Sequence, residues 1–224
     1  MNLDFSFLPK YMPYYLDGVK YTLLISAITV LFGALFGSIL FYMKSSNFHI
    51  WKIKPLKAIA TCYIEIIRGT PMLLQIYIMY AGSKMMFGLD LSAFQSAIIA
   101  IALNSAAYVS EIVRAGIEAV DKGQMEAARS LGMTRTQAMT LIVIPQAVKN
   151  ILPAIGNEFV AVIKESSMAS VIGVGELMFA AKVVTGTTYK GFEPLIVAAG
   201  FYFLMTFTLG RILSLVERRL KVSD

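Results

Sequence analysis

Uncharged apolar runs alternate with short polar stretches along the whole chain. Tyr21–Met43 is 23 residues without a charge, and Leu91–Ser110 is another of 20. Each is long enough to cross a hydrocarbon core of about 30 Å as a helix. Three further stretches reach that length with interruptions. Ala58–Ser83 contains Glu65 and Arg68; Thr136–Ile163 contains Lys149 and Glu158 and is broken by Pro145 and Pro153; Pro194–Gly210 is clean and extended by Arg211–Val216. The pattern predicts an all-α polytopic membrane protein with five transmembrane helices, at approximately 21–43, 58–83, 91–114, 138–163 and 194–216, in one domain over 1–224.

The most polar connection, 118–137, has internal punctuation of its own. Asp121 followed by Gln124 reads as a helix start, a side-chain oxygen on backbone N–H with the amide reaching back. Gly132 reads as the stop, because glycine accepts the left-handed backbone just past a helix end. Thr134 with Gln137 opens the next helix by the same logic. A helix of about seven to ten residues is marginal alone in water, so something should hold it, a partner protein on the aqueous side being one candidate.

Charge sorts the connections into two sets. One holds Lys44, Lys52, Lys54 and Lys57, then Arg114, Lys122, Arg129 and Arg135, then Arg211, Arg218, Arg219 and Lys221. The other has fewer cations, diluted by acids such as Asp4, Asp17, Asp90, Glu176 and Glu193. Positive residues accumulate inside, which predicts a cytoplasmic 118–137 loop and C terminus and an external N terminus. At 57% hydrophobic and 15% charged, the chain lies well outside soluble averages. Its net charge of +6 follows from those loops and needs no nucleic acid. His49 is the only histidine and Cys62 the only cysteine, so one chain can form neither a disulfide nor a His/Cys metal cluster. No G-x-x-x-x-G-K-[ST] phosphate loop occurs, so ATP would have to be handled elsewhere. The first apolar run exceeds a signal-peptide core and is expected to stay as a membrane helix.

The stretch QMEAARSLGMTRTQAMTLIVIP, Gln124 to Pro145, resembles the EAA loop of ABC-importer membrane subunits. Glu126, Ala127, Ala128, Gly132, Ile142 and Pro145 fall in register, with Ile144 replacing the family's leucine. RGTP at Arg68–Pro71, NSAAYVSEIVRAG at Asn104–Gly116 and LPAIGNEFVAVIKESSM at Leu152–Met168 look like the polar-amino-acid branch of these permeases. The resemblance implies a type I importer transmembrane domain and a second membrane subunit, identical or sibling. It also implies two cytoplasmic ATPase subunits and an extracytoplasmic amino-acid-binding protein. Glu126, Ala127, Ala128 and Gly132 would then couple to the ATPase, with no catalytic residue, metal or cofactor in this chain, since ATP and Mg belong to the partner. An ATP-independent channel or secondary transporter is the alternative. An intramembrane enzyme would lack any His-bearing helix or nucleophile constellation.

An ionisable group at mid-bilayer costs about 2.5–3.5 kcal/mol on insertion scales, so polar residues inside spans face protein, water or ligand. Arg68, Gly69 and Thr70 precede Pro71. Thr70 as N-cap and Pro71 at the first helical position would restart a helix there, its free N–H groups a plausible seat for a carboxylate. The alternative is a proline kink with Glu65 and Arg68 paired locally. Asn104, Tyr108 and Glu111 share one helical face. They could meet an ammonium group, or Glu111 could simply pair with Arg114. Asn157 and Glu158 follow Pro153. The expected substrate path is Arg68, Gly69, Thr70, Gln75, Asn104, Tyr108, Glu111, Asn157 and Glu158. Gly33 and Gly37 form a GxxxG pair that does not by itself locate an interface.

Overall fold

The computed structural model describes residues 3–50 and 53–221, and its regular elements are all helical apart from one bridge between Ile50 and Ile53. In chain order they are α1 (Leu8–Ser45), α2 (Pro55–Gly69), α3 (Met72–Phe87), α4 (Ala93–Glu118), α5 (Lys122–Ser130) and α6 (Arg135–Ala138). A π turn at Met139–Val143 leads into α7 (Ile144–Glu165) and a 3-10 stretch at Ser166–Ile172. Then come α8 (Leu177–Thr188) and α9 (Glu193–Lys221).

Four unbroken helical stretches are long and apolar enough to cross a membrane: Leu8–Ser45, Ala93–Glu118, Arg135–Ile172 and Glu193–Leu220. The fifth expected helix is present as a broken pair, α2 and α3, of 15 and 16 residues. Pro71 is the cause. Its ring disfavours helical backbone in the residue before it, and Thr70 is extended at φ −119°, ψ 146°. Pro145 and Pro153, expected to break the next stretch, do not. The π turn lies just ahead of Pro145, whose missing N–H and bulky ring otherwise conflict with the preceding carbonyls.

α1 begins at Leu8, well before the apolar run it contains. Tertiary anchors hold this extension: Tyr15 is fully buried, donates to the Pro194 carbonyl at 3.1 Å and stacks on Phe201. Phe7, Tyr15, Leu177, Ala181, Val184 and Ala198 form one core cluster of α1, α8 and α9. A second joins Ile25, Met72, Ile76, Ile101, Val162 and Ile172. Glu176, counted above as an external acid, is fully buried as the N-cap of α8. It accepts from the N–H groups of Met178 and Phe179 at 2.9 and 2.8 Å and from the Tyr202 hydroxyl at 2.7 Å. A buried carboxylate is tolerated when it is met by donors in this way.

α1 packs most extensively on α4. A Cβ on Gly33 would lie 2.7 Å from Ser105 Oγ, and one on Gly37 would lie 2.8 Å from the Ala106 carbonyl oxygen. The GxxxG pair therefore serves a helix contact inside the chain, where small residues let backbones approach.

Candidate functional site

The 118–137 connection folds into two capped helices. Asp121 caps α5 by accepting from the Gly123 N–H at 2.7 Å. The reciprocal bond expected from Gln124 is not formed; its Oε1 instead accepts from Gln146 Nε2 at 3.3 Å. Gly132 has φ +87°, which an L side chain disfavours. Its N–H donates to Arg129 O at 3.1 Å, and the Met133 N–H donates to Ala128 O at 3.2 Å, closing the helix end. Thr134 and Gln137 make the complete capping box expected of them at the start of α6.

This geometry divides the predicted coupling residues. Ala128 is buried, and α5 packs on the π turn through its inner side. Glu126, Ala127 and Gly132 are exposed, and Leu131 is 83% exposed at the helix end. A nine-residue helix thus holds its own caps while offering a carboxylate, a small residue and a large apolar side chain to something outside the chain.

All the predicted path residues but Asn157 and Glu158 gather around the break between α2 and α3. Thr70 does not cap the second half-helix: α3 starts at Met72 with Pro71 in the N-cap position, and no side chain caps it. The Thr70 hydroxyl instead donates back to Ile66 O at 2.9 Å. Gln75 bridges the break. Its amide nitrogen donates to Ile67 O at 2.7 Å, Thr70 O at 3.1 Å and Thr70 Oγ1 at 2.8 Å. The Gln75 oxygen accepts from Asn104 Nδ2 at 2.9 Å, and Asn104 is buried. One amide thereby fixes the end of α2, the first turn of α3 and the middle of α4.

Arg68 does not pair with Glu65 among the described residues. Its guanidinium lies 5.3 Å from the Tyr108 ring centroid and 4.0 Å from Glu111. Glu111 is also held by Lys44 at 2.6 Å and by Arg114 at 2.7 Å, the second pair being the local one considered from sequence. Arg68, Gly69, Thr70 and Tyr108 remain exposed in the single chain. Polar groups left open at this point of a membrane helix call for protein or water beside them, not lipid.

Asn157 and Glu158 are not part of this group. Glu158 Oε1 accepts from Ser105 Oγ at 2.9 Å, whereas Asn157 is exposed and its side chain makes no hydrogen bond among the described residues. Asn104 and Ser105 are neighbours in sequence and so point about 100° apart around α4. The Gln75 group and the Glu158 group therefore occupy different sides of that helix. Sequence reading missed Lys44 and Ser105 as partners of Glu111 and Glu158; the only signal was a cation ending one apolar run and a hydroxyl beside Asn104.

Residues 45–222 match the family described as binding-protein-dependent transport system inner membrane component. Among curated proteins, the arginine transport system permease protein ArtQ of Bacillus subtilis (strain 168) is 43% identical over 224 residues, all of both chains. The putative glutamine transport system permease protein GlnP of Rickettsia bellii is 40% identical over 222 residues, 98% of this chain and 100% of that one. A solved amino acid ABC transporter, crystallised with histidines, superposes with a TM-score of 0.92 at 49% identity, covering 98% of this chain and 100% of the other. The inward-facing MetNI methionine ABC transporter shares the fold at a TM-score of 0.71 and 20% identity, covering 96% and 99%. A capped, solvent-exposed helix carrying the EAA pattern on an all-helical scaffold agrees with those matches, and the chain belongs to the binding-protein-dependent transport system inner membrane components, as a permease subunit of the ABC importers.

Proposed function

We propose that this permease carries a polar amino acid inward, with the α5 helix on the cytoplasmic side as its contact with an ATPase subunit, two of which serve the complex. A second membrane subunit pairs with it, and an extracytoplasmic binding protein delivers the solute. The observation that supports this most is α5 itself: capped at both ends, buried only through one side and exposing Glu126, Ala127 and Leu131. ATP-driven closure of the partner moves this helix, and the attached spans change the side from which the path is open. Glu126 and Gly132 act through docking geometry, and ATP and Mg stay on the partner.

The solute class follows from the names of the relatives, arginine for one and glutamine for another, together with the groups around the α2–α3 break. The uncapped start of α3 and the exposed Arg68 guanidinium suit an α-carboxylate, while the Tyr108 face and the Glu111 carboxylate are already met by cations of the chain, Arg68 on the ring and Lys44 and Arg114 on the carboxylate. Exposure of Arg68, Gly69 and Thr70 supports a second subunit closing over this face.

Reconstitution of the chain with the ATPase and binding protein encoded beside it tests the reading. ATP-dependent uptake of labelled arginine or glutamine is expected, with a cysteine at Glu126 labelled only from the cytoplasmic side. Uptake that proceeds without the ATPase would instead establish a channel or secondary transporter.

A further inference from the structure

A cavity of about 590 Å³ lies where the C-terminal end of α1, the start of α2, the end of α4 and the α6–α7 run meet. Its lining includes four cations, Lys44, Lys57, Arg114 and Arg135, against one carboxylate, Glu118. Lys44 and Arg114 are engaged by Glu111, and Arg114 also by Glu118 at 2.6 Å. Lys57 and Arg135 have no carboxylate partner among the described residues. Two cations thus line this space with no ion pair among the described residues.

The floor of the same cavity is apolar, formed by Phe41, Ile144, Ala147 and Ile151, with Tyr42 standing 68% exposed beside them. Leu35, Ile39 and Tyr42 are 56%, 47% and 68% exposed and recur at helical spacing, so an open apolar stripe runs along α1 into the cavity. An aromatic residue where such a stripe meets charge marks a membrane–water boundary. A small free anion would satisfy the cations and leave the apolar floor and stripe unfilled. A soluble protein surface would have no use for a stripe that continues into the span.

We propose that this cavity binds an anionic phospholipid, its acidic head meeting Lys57 and Arg135 and an acyl chain lying along the α1 stripe. Placing that lipid in the cytoplasmic leaflet rests on the orientation given above. Arg135 is the first residue of α6, directly after its Thr134 cap and within the 118–137 connection. A bound lipid therefore ties that loop to the bilayer, and the acidic-lipid content of the membrane tunes coupling.

The test uses the full chain in mild detergent, titrated with phosphatidylglycerol or phosphatidylcholine and read by native mass spectrometry. The chain should retain phosphatidylglycerol preferentially. Lys57→Gln with Arg135→Gln should weaken that retention about 25-fold, from about fivefold for each basic residue removed at a membrane surface. Lys57→Arg with Arg135→Lys should restore it, and Lys10→Gln with Lys20→Gln should leave it unchanged. Undiminished retention in the double glutamine variant would overturn the proposal. Competition by inorganic phosphate at equal potency would identify a free-anion site and overturn it too. Complete displacement of the lipid by the ATPase subunit would show that the cavity is a protein contact. Detergent has no sidedness, so this result is independent of orientation, which the labelling of Glu126→Cys reads separately.

Discussion

Gly132 offers the sharpest test of the proposal that α5 couples to the ATPase. Its φ of +87° closes the helix, yet a Cβ built there meets nothing within 4 Å. A side chain would therefore clash with no neighbour, and its cost is conformational alone. For an L residue the left-handed region costs about 1–2 kcal/mol, and more for a β-branched one. That penalty shifts the closed helix end toward other conformers by about 5- to 30-fold. The affected bonds are the Gly132 donation to Arg129 O and the Met133 donation to Ala128 O. Gly132→Val, Gly132→Ala and Gly132→Asn form a graded series, with asparagine the most tolerant of left-handed backbone. In the reconstituted complex, substrate-stimulated ATP hydrolysis and uptake should fall most for valine and least for asparagine, with equal amounts of chain in the membrane. Valine coupling as well as glycine, or asparagine coupling as poorly as valine, would refute the backbone argument.

Asn104→Ala removes the donor to the oxygen of half-buried Gln75, a loss of about 1 kcal/mol, and should alter KM or substrate preference in uptake assays more than expression. Gly37→Leu should separate α1 from α4 at a cost of about 1–3 kcal/mol, seen as lower thermal stability in detergent; equal stability would contradict the close approach. Asp4, ahead of α1, is hydrogen-bonded by Lys190, which holds its carboxyl well below the usual carboxylate range. A depressed folded-state value means that the contact stabilises the N-terminal segment above about pH 4 and is lost as pH falls through the lower value. The pair is exposed, so solvent screening keeps the effect small. Limited proteolysis of that segment should rise on acidification and should be equally high for Asp4→Asn at neutral pH.

Much of the architecture was legible because the bilayer constrains it. Runs such as Tyr21–Met43 and Leu91–Ser110 must be helices, since lipid satisfies no backbone group. The ends of α5 and α6 were legible as well, because caps are local chemistry: Asp121, Gly132, Thr134 and Gln137 all sit where their backbone roles require. The break at Pro71 was one of two readings open in the sequence, a proline kink being the other, and the capping role expected of Thr70 fell away. A hydroxyl can bond backward to Ile66 as readily as forward, and sequence does not choose between them.

Partners across helices were not legible. Gln75 with Asn104, Lys44 with Glu111 and Ser105 with Glu158 are joined only by the packing of separate helices. Periodicity identified the shared face of Asn104, Tyr108 and Glu111, but not that Gln75, Arg68 and Lys44 would meet it. α1 shows why: it buries Ile25 and Val30 and exposes Leu31 and Leu35, residues of the same character. Lipid is as apolar as a protein core, so no hydrophobic contrast marks the packed side of such a helix. Sequence alone determined where the main spans are helical and where Asp121, Gly132 and Thr134 cap the helices of the 118–137 connection. Which sides of those helices meet was decided by the tertiary structure, through close approach at Gly33 and Gly37 and the need to satisfy polar groups away from lipid.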